Sequence, residues 1–315
     1  MRKVSKMEFS HVSVLLKETV DSLDVKKGGI YVDCTCGGAG HSREILRRLG
    51  GTGRLIAIDR DPEAIEVIKE RIGGEKNVTV VHSAFSELSS ILSDLGIDKV
   101  DGVMADLGVS SHQMDKADRG FSIHNEAMLD MRMSKEGMSA HDVINTFSEG
   151  ELIRIFRLYG EEKFAPRIAR SIVQLRQQKP IDTTTELAEI VKNSIPAAAR
   201  RTGHHPARKT FQSVRIFINN ETGQLEDTIG EMFSCLRKDG RLSIITFHSL
   251  EDRIVKNAFR EFCKGCECPR SAPVCICGKT PEGELPFRKI LPSEKEIEEN
   301  PRSRSATLRC IKKIR

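Results

Sequence analysis

Short apolar runs, each closing on a polar residue, recur through the first third of the chain. Gly29-Ile30-Tyr31-Val32-Asp33 is one, and Arg54-Leu55-Ile56-Ala57-Ile58-Asp59 repeats its form after a helix-like segment from Ser42 to Leu49. Residues 77–82 and 100–106 supply two more. Runs of this length, separated by helix-length segments, predict βαβ units and a mostly parallel sheet covered on both faces. From about Ser139 to Asn220 the spacing changes: 151–159 and 167–175 place apolar residues three and four apart, the signature of amphipathic helices. Sheet-type sequence resumes only at 241–247, and 306–311 reads as an edge strand near the C-terminus. Because the sheet restarts after it, the helical block is best read as an insertion between two strands of one sheet. The expected organisation is 1–112 as the first part of an α/β, Rossmann-like domain, 113–218 as an inserted all-helical domain, and 219–315 as the second part, carrying a Cys-rich loop at 263–278.

A length of 315 residues exceeds the usual single domain and suits this arrangement. With 38% hydrophobic and 30% charged residues the composition is that of an ordinary globular protein, and no stretch approaches the roughly 20 apolar residues of a membrane span. Met1 to Lys6 is charged and no apolar segment follows, so neither a secretion signal nor a membrane partner is expected, and the cytoplasm is the default compartment. The formal net charge of +5 says little alone. Its distribution says more: basic residues gather at 200–209, where Arg200, Arg201, Arg208 and Lys209 lie, and again from Arg302 to Arg315. Such clusters suit nucleic-acid phosphates, and equally suit a solvated basic face.

The strongest local signal is Asp33-Cys34-Thr35-Cys36-Gly37-Gly38-Ala39-Gly40-His41-Ser42, which follows the first strand and opens a helix. Glycines there let the backbone approach a ligand that a Cβ would obstruct. Dinucleotide sites use a similar turn, but no Lys-Ser/Thr follows, so a P-loop is disfavoured. Asp59, ending the second strand, can accept both ribose hydroxyls of an adenosyl group, as acids in NAD sites also do. An acid at the start of the turn, Asp33, fits a ligand with a cationic amino-acid end better than a pyrophosphate. In an open α/β sheet ligands sit beyond the carboxyl ends of the strands, so Asp33, Asp59, Phe85 and Asp106 should converge on one cleft.

Seven stretches then become recognisable together: DCTCGGAGHS from Asp33, DLGVSSHQMD from Asp106, and the segments 119–122, 129–133, 205–212, 247–253 and 300–305. In this order they resemble the bacterial RsmH/MraW family, from His11 to the C-terminus. The resemblance implies a class I methyltransferase fold with a helical insertion, using S-adenosylmethionine (SAM) to methylate the exocyclic N4 of a cytidine in the decoding region of small-subunit ribosomal RNA. Methylation of another RNA or of DNA, and SAM or RNA binding without turnover, are the competing readings. Carried over by motif, Ala39, Gly40, His41, Asp59, Phe85, Asp106 and Gln113 would contact SAM, with Asp33 and Gly38 shaping the loop. The delocalised N4 lone pair is a poor nucleophile, so an acceptor must hold the amine in line with the methyl group, and Asp106 is the expected catalytic residue. Many amino-methyltransferases follow the acid with two prolines and an aromatic; here Leu107-Gly108-Val109 stands instead, leaving the stacking partner of the base to come from elsewhere. The target must be unpaired or flipped. RNA contacts are expected from Arg200, Arg201, Arg208 and Lys209, with His248 and Arg253 as further candidates, and the substrate is expected within an assembling small subunit. Monomer and dimer are both compatible with the sequence.

Nine cysteines do not make a disulfide scaffold in a chain of this length, but Cys263, Cys266, Cys268, Cys275 and Cys277 crowd into fifteen residues. A tetrahedral structural zinc and a reduced loop without metal both fit that pattern, whose spacing is shorter than in most zinc sites.

Overall fold

The structure is a computed structural model that describes residues 13–110, 113–114, 116–200, 205–269, 274 and 276–315. Contacts divide the chain into two units, one formed by residues up to Gly108 together with Leu225–Arg315, the other by Val109–Gln224.

The first unit is built on a seven-stranded sheet. Its strands are β1 (Ile30–Asp33), β2 (Arg54–Asp59), β3 (Val78–His82), β4 (Val100–Asp106), β5 (Leu236–Thr246), β6 (Gly283–Glu284) and β7 (Thr307–Lys313), in the order β3-β2-β1-β4-β5-β7-β6. The first five pair in parallel, while β7 runs antiparallel to both β5 and β6. The strand order reverses between β1 and β4, which is where an open α/β sheet opens a crevice at its carboxyl edge. This is a Rossmann-like sheet of the class I methyltransferase type.

Successive residues of each strand feed opposite cores, which is why the runs look apolar throughout. Val32, Ile56, Ile58, Val103, Ala105, Leu242 and Ile244 pack on one face, in a cluster that includes Leu225, Ile229, Met232, Phe233, Val255 and Phe259. Tyr31, Leu55, Ala57 and Met104 point to the other, against Val20, Leu23, Ile45, Leu49, Ile65 and Ile68. The helices supplying these faces are α1 (Leu16–Leu23), α2 (Gly40–Leu49), α3 (Pro62–Ile72) and α4 (Leu88–Asp94), and, after the second unit, Glu221–Ser234 and Ser249–Phe262. The expected edge strand near the C-terminus is instead internal to the sheet: β7 lies between β5 and the two-residue β6, which covers its outer side. Strand β5 begins at Leu236, earlier than expected, because Val100 pairs with Leu236 before a register shift carries Gly102 onto Arg241.

The second unit is helical and has its own core. Helices Ala140–Thr146, Glu149–Gly160, Ala165–Arg176, Thr184–Ser194 and Arg208–Asn219 surround Leu152, Phe156, Ile168, Ile172, Leu187, Phe211 and Val214. Three of them start on capping boxes, Ser139 with Asp142, Ser148 with Glu151 and Thr183 with Glu186, in which side chain and backbone satisfy each other's otherwise unpaired amides. Among the described residues no helix is long and apolar enough to cross a membrane.

Candidate functional site

The turn between β1 and α2 is pinned from both sides. Cys34 N–H donates to the Met104 carbonyl and Cys36 N–H to the Ile58 carbonyl, so the chain leaves β1 still tied to β4 and β2. Gly37 and Ala39 both take left-handed backbone (φ 48° and 61°), which glycine adopts without strain and alanine does not. Gly40, at the first position of α2, is needed for a neighbour rather than for open space: a Cβ there would stand 1.9 Å from Ser13 Oγ. Gly38 is half-buried, and its carbonyl accepts a hydrogen bond from Arg71.

Three strand-end acids gather at this edge. Asp33 is buried, and accepts from Ser42 Oγ at 2.7 Å and from Thr35 N–H at 3.2 Å. Burial pushes its pKa up to about 6, and the nearby Asp59 charge adds to this while the two hydrogen bonds oppose it. Asp59 accepts from Gly37 N–H at 2.8 Å on one oxygen and from Asp61 N–H at 2.9 Å on the other. Each oxygen keeps a second acceptor position. Desolvation again dominates and lifts Asp59 to about 6.

Asp106 ends β4 beside Ile245 of β5, and its amide donates to Thr35 Oγ1 at 2.6 Å. Its side chain is 23% exposed, with Oδ2 3.9 Å from His41 Nδ1. Oδ1 is buried and has no hydrogen-bond partner among the described residues. Burial raises the pKa well above the carboxylate range, and the charges of Asp33 and Glu251 push the same way. His41 is buried, and its Nε2 lies 3.1 Å from the Val14 carbonyl, which assigns that nitrogen the proton and leaves the Nδ1 lone pair toward Asp106. An unpaired buried carboxyl oxygen is costly unless something else supplies its donor.

The other expected residues are placed less uniformly. Phe85 is 9% exposed and belongs to the core cluster with Val32, Ile56 and Leu88. In the second unit Gln113 is buried, with Oε1 accepting from Ser110 N–H at 3.0 Å. His248 does not face outward: it is the N-cap of Ser249–Phe262, with Nδ1 accepting from Glu251 N–H at 3.4 Å. Its Nε2 is 3.1 Å from Glu251 Oε1, close enough for an ion pair if the ring is protonated but too far out of line for a hydrogen bond. Arg253 is exposed on that same helix. Arg200 ends a short turn at Ala197–Arg200 and donates from Nε to the Ile195 carbonyl, while Arg208 and Lys209 are exposed at the start of Arg208–Asn219. Of the cysteines, Cys266, Cys268 and Cys277 bring their sulfurs within 4.8 Å of one another, whereas Cys263 packs against the apolar core. Arg201 and Cys275 lie outside the described residues.

Three contributors escaped the sequence reading. Thr35 holds the Asp106 backbone; Glu251 receives the Phe247 amide at 2.8 Å; and Phe247 approaches the acid's own loop, its Cδ2 only 3.6 Å from where a Cβ on Gly108 would stand. Gly108 has φ 91°, so the residue that replaces a proline here makes a left-handed turn and leaves room for that ring. The only signal for Phe247 was its place directly after a strand.

Comparison with known proteins gives the family. The sequence profile of the MraW methylase family matches residues 8–314. A protein of Clostridium botulinum (strain Loch Maree / Type A3) named "Ribosomal RNA small subunit methyltransferase H" is 55% identical over 310 residues, spanning 98% of this chain and 100% of that one. A protein of the same name from Lachnospira eligens is 52% identical over 311 residues, 98% of this chain and 99% of its own. A solved putative rRNA-methylase from Clostridium thermocellum, 12% identical with a TM-score of 0.45 over 96% of this chain and all of its own, is too loose a match to weigh. A profile match and half-identity, both running through the glycine turn and all three strand-end acids, leave one assignment: the chain belongs to the MraW methylase family.

Proposed function

We propose that the protein is a SAM-dependent methyltransferase acting on small-subunit ribosomal RNA, and that it methylates the exocyclic N4 of a cytidine. The observation that carries this reading is Asp106 Oδ1, a buried acceptor without a donor among the described residues at the carboxyl edge of the sheet, in a family whose relatives are named as methyltransferases of that RNA. An exocyclic amine is a donor in need of such an acceptor.

The residues fit SAM. The remaining acceptor positions of Asp59 suit the two ribose hydroxyls, the left-handed turn at Gly37–Ala39 leaves backbone beside the ligand, and the acidic surroundings from Asp33 favour a cation. His41, Gly38 and Gly40 shape that turn, and Phe85 borders adenine with its small open edge. When bound, SAM supplies a methyl group on a sulfonium that already carries a good leaving group, so the transfer asks nothing of a metal. Asp106 holds the amine by a hydrogen bond to Oδ1 and takes the proton that the nitrogen sheds as its bond to the methyl carbon forms. It does so in its ionised form, which burial and the charges of Asp33 and Glu251 disfavour and a bound sulfonium cation would favour. Thr35 holds its backbone in position. Phe247 is the candidate stacking surface for the flipped base, replacing the aromatic that other amino-methyltransferases carry directly after the acid.

The helical unit, residues 109–224, is the inserted RNA-recognition domain in this reading, with the exposed Arg208 and Lys209 meeting phosphates and Arg200 as a further candidate; Arg253 is a candidate on the first unit. The reaction is placed in the cytoplasm, on a small subunit still in assembly. The test is methyl transfer from labelled SAM to purified small subunits, free small-subunit RNA and DNA, followed by nucleoside analysis. Label in N4-methylcytidine from the RNA supports the proposal; label confined to another nucleoside or to DNA, or none with saturating SAM bound, refutes it.

A further inference from the structure

The methyl-transfer reading leaves one chemically distinctive cluster unused. Between Phe262, the last residue of its helix, and β6, the chain makes an excursion whose neck is closed by Glu282 N–H donating to the Phe262 carbonyl at 2.9 Å. No described residue from Cys263 to Pro281 is buried, and Val274 at 70% and Ile276 at 90% are the most open large apolar residues among those described. The described residues of this segment form no core of their own, and short segments that lack a core are ordinarily held by disulfides or metals.

Inside it, the sulfurs of Cys266, Cys268 and Cys277 converge within 4.8 Å. Cys266 and Cys277 are 3.7 Å apart, far beyond the roughly 2.05 Å of a disulfide. A tetrahedral zinc with bonds of about 2.3 Å to sulfur sets neighbouring sulfurs about 3.8 Å apart, so the observed separation is the edge of such a tetrahedron. Each sulfur also accepts a backbone N–H at 3.4 Å: Cys266 from Cys268, Cys268 from Ile276, and Cys277 from Glu267. Backbone amides donated to the sulfurs hold them in place, as supporting hydrogen bonds do around a metal. Gly278 follows the last of them at φ 61°, the left-handed step that turns the chain away from the sulfurs.

We infer that Cys266, Cys268 and Cys277 hold a thiophilic divalent cation, zinc by its ligand chemistry, that ties the 263–281 excursion into one conformation. The wider set of five cysteines narrows to these three. Cys263 stands apart, partly buried against the apolar core, and Cys275 is no part of the proposal.

The experiment uses the full chain, purified without chelator, loaded with zinc or cobalt(II) and dialysed. Elemental analysis should find about one zinc per chain, and cobalt should give the visible and sulfur-to-metal charge-transfer bands of tetrahedral thiolate coordination. Cys266→Ser/Cys268→Ser/Cys277→Ser should lose both signals, while Cys263→Ser and Cys235→Ser keep them. Circular dichroism and SAM binding report whether the triple variant has folded, and Cys277→Ser alone serves if it has not. In the wild-type protein, removing the metal should expose the loop to limited proteolysis at 263–281 at least tenfold faster. Zinc below about a tenth of an equivalent, metal content unchanged in the serine variants, or a native mass 2 Da low from a Cys266–Cys277 disulfide would overturn the inference. None of these readouts depends on methyl transfer, so its failure is separable from failure of the proposed activity.

Discussion

Lowering the pH should weaken binding of the adenosyl ligand, with a midpoint near 6 rather than near 4. Asp59 and Asp33 are both lifted from 3.8 to about 6, chiefly by desolvation. The native chain therefore holds protons on them between pH 4 and 6 where the unfolded chain does not. Stability of the ligand-free protein is greatest below pH 4 from this source, declines as the pH rises to 6, and is then lower by at most about 3 kcal/mol per acid. The two acids feel each other, so the pair contributes less than twice that. A ligand whose ribose hydroxyls donate to Asp59 recognises the ionised form and must displace the proton below pH 6. One titrating acid predicts about tenfold weaker binding at pH 5 than at pH 7.5, and two approach a hundredfold. The assay is calorimetry with SAM or its demethylated product from pH 5 to 7.5 at fixed ionic strength, with circular dichroism confirming the fold at each point. Asp59→Asn should bind at least tenfold more weakly at pH 7.5 and lose much of the slope, because its amide cannot accept from both Gly37 and Asp61 and offers the diol one acceptor fewer. Affinity constant within twofold across the range, or an unchanged slope in the variant, would refute the reasoning.

Asp106→Asn should lower the methyl-transfer rate about 10²–10⁴-fold with SAM affinity changed less than about threefold, measured by single turnover and calorimetry. Loss of affinity in parallel with rate would make it a binding residue instead. Gly40→Ala should cost about 1–3 kcal/mol through contact with Ser13, read as a lower melting temperature, and Ser13→Gly in the same chain should recover most of it. If the second substitution recovers nothing, the contact is not the cause. Arg208→Ala/Lys209→Ala should weaken RNA binding for matched and unrelated sequences alike and reduce the slope of log affinity against log salt by about 1–2, while melting stays within a few degrees; an unchanged slope would remove these residues from the RNA surface.

The parts of the fold that were legible are those whose signal is local. β1 to β4 read within a residue because strands buried on both faces have no polar alternation to confuse, and two helices of the second unit showed in the apolar spacing of 151–159 and 167–175. The first half of β5 was hidden because Arg237-Lys238-Asp239-Gly240 reads as a turn; its strand character comes from pairing beyond a register shift. β6 has two residues and no period to detect. At the site, the glycine turn and Asp33, Asp59 and Asp106 stood out by their places at strand ends. Thr35 and Phe247 did not, since the first depends on β1 lying beside β4 and the second on Asp106 lying level with Ile245, a residue 139 positions away in the chain. His248 misled for the opposite reason: it sits where a ligand-facing residue would, but the three-residue spacing to Glu251 turns it into a helix cap.

The position of β7 bears on how such a chain comes to be assembled. The strand made from residues 307–313 lies inside the sheet, and β6, translated earlier, can join only through it. On a ribosome the helical unit, continuous from 109 to 224, has everything it needs long before the sheet does. The catalytic half must wait with β5 half-paired until its closing strand emerges, so competence for methyl transfer arrives late in synthesis, and a nascent chain stalled short of residue 307 would leave the outer side of β5 open to adventitious pairing.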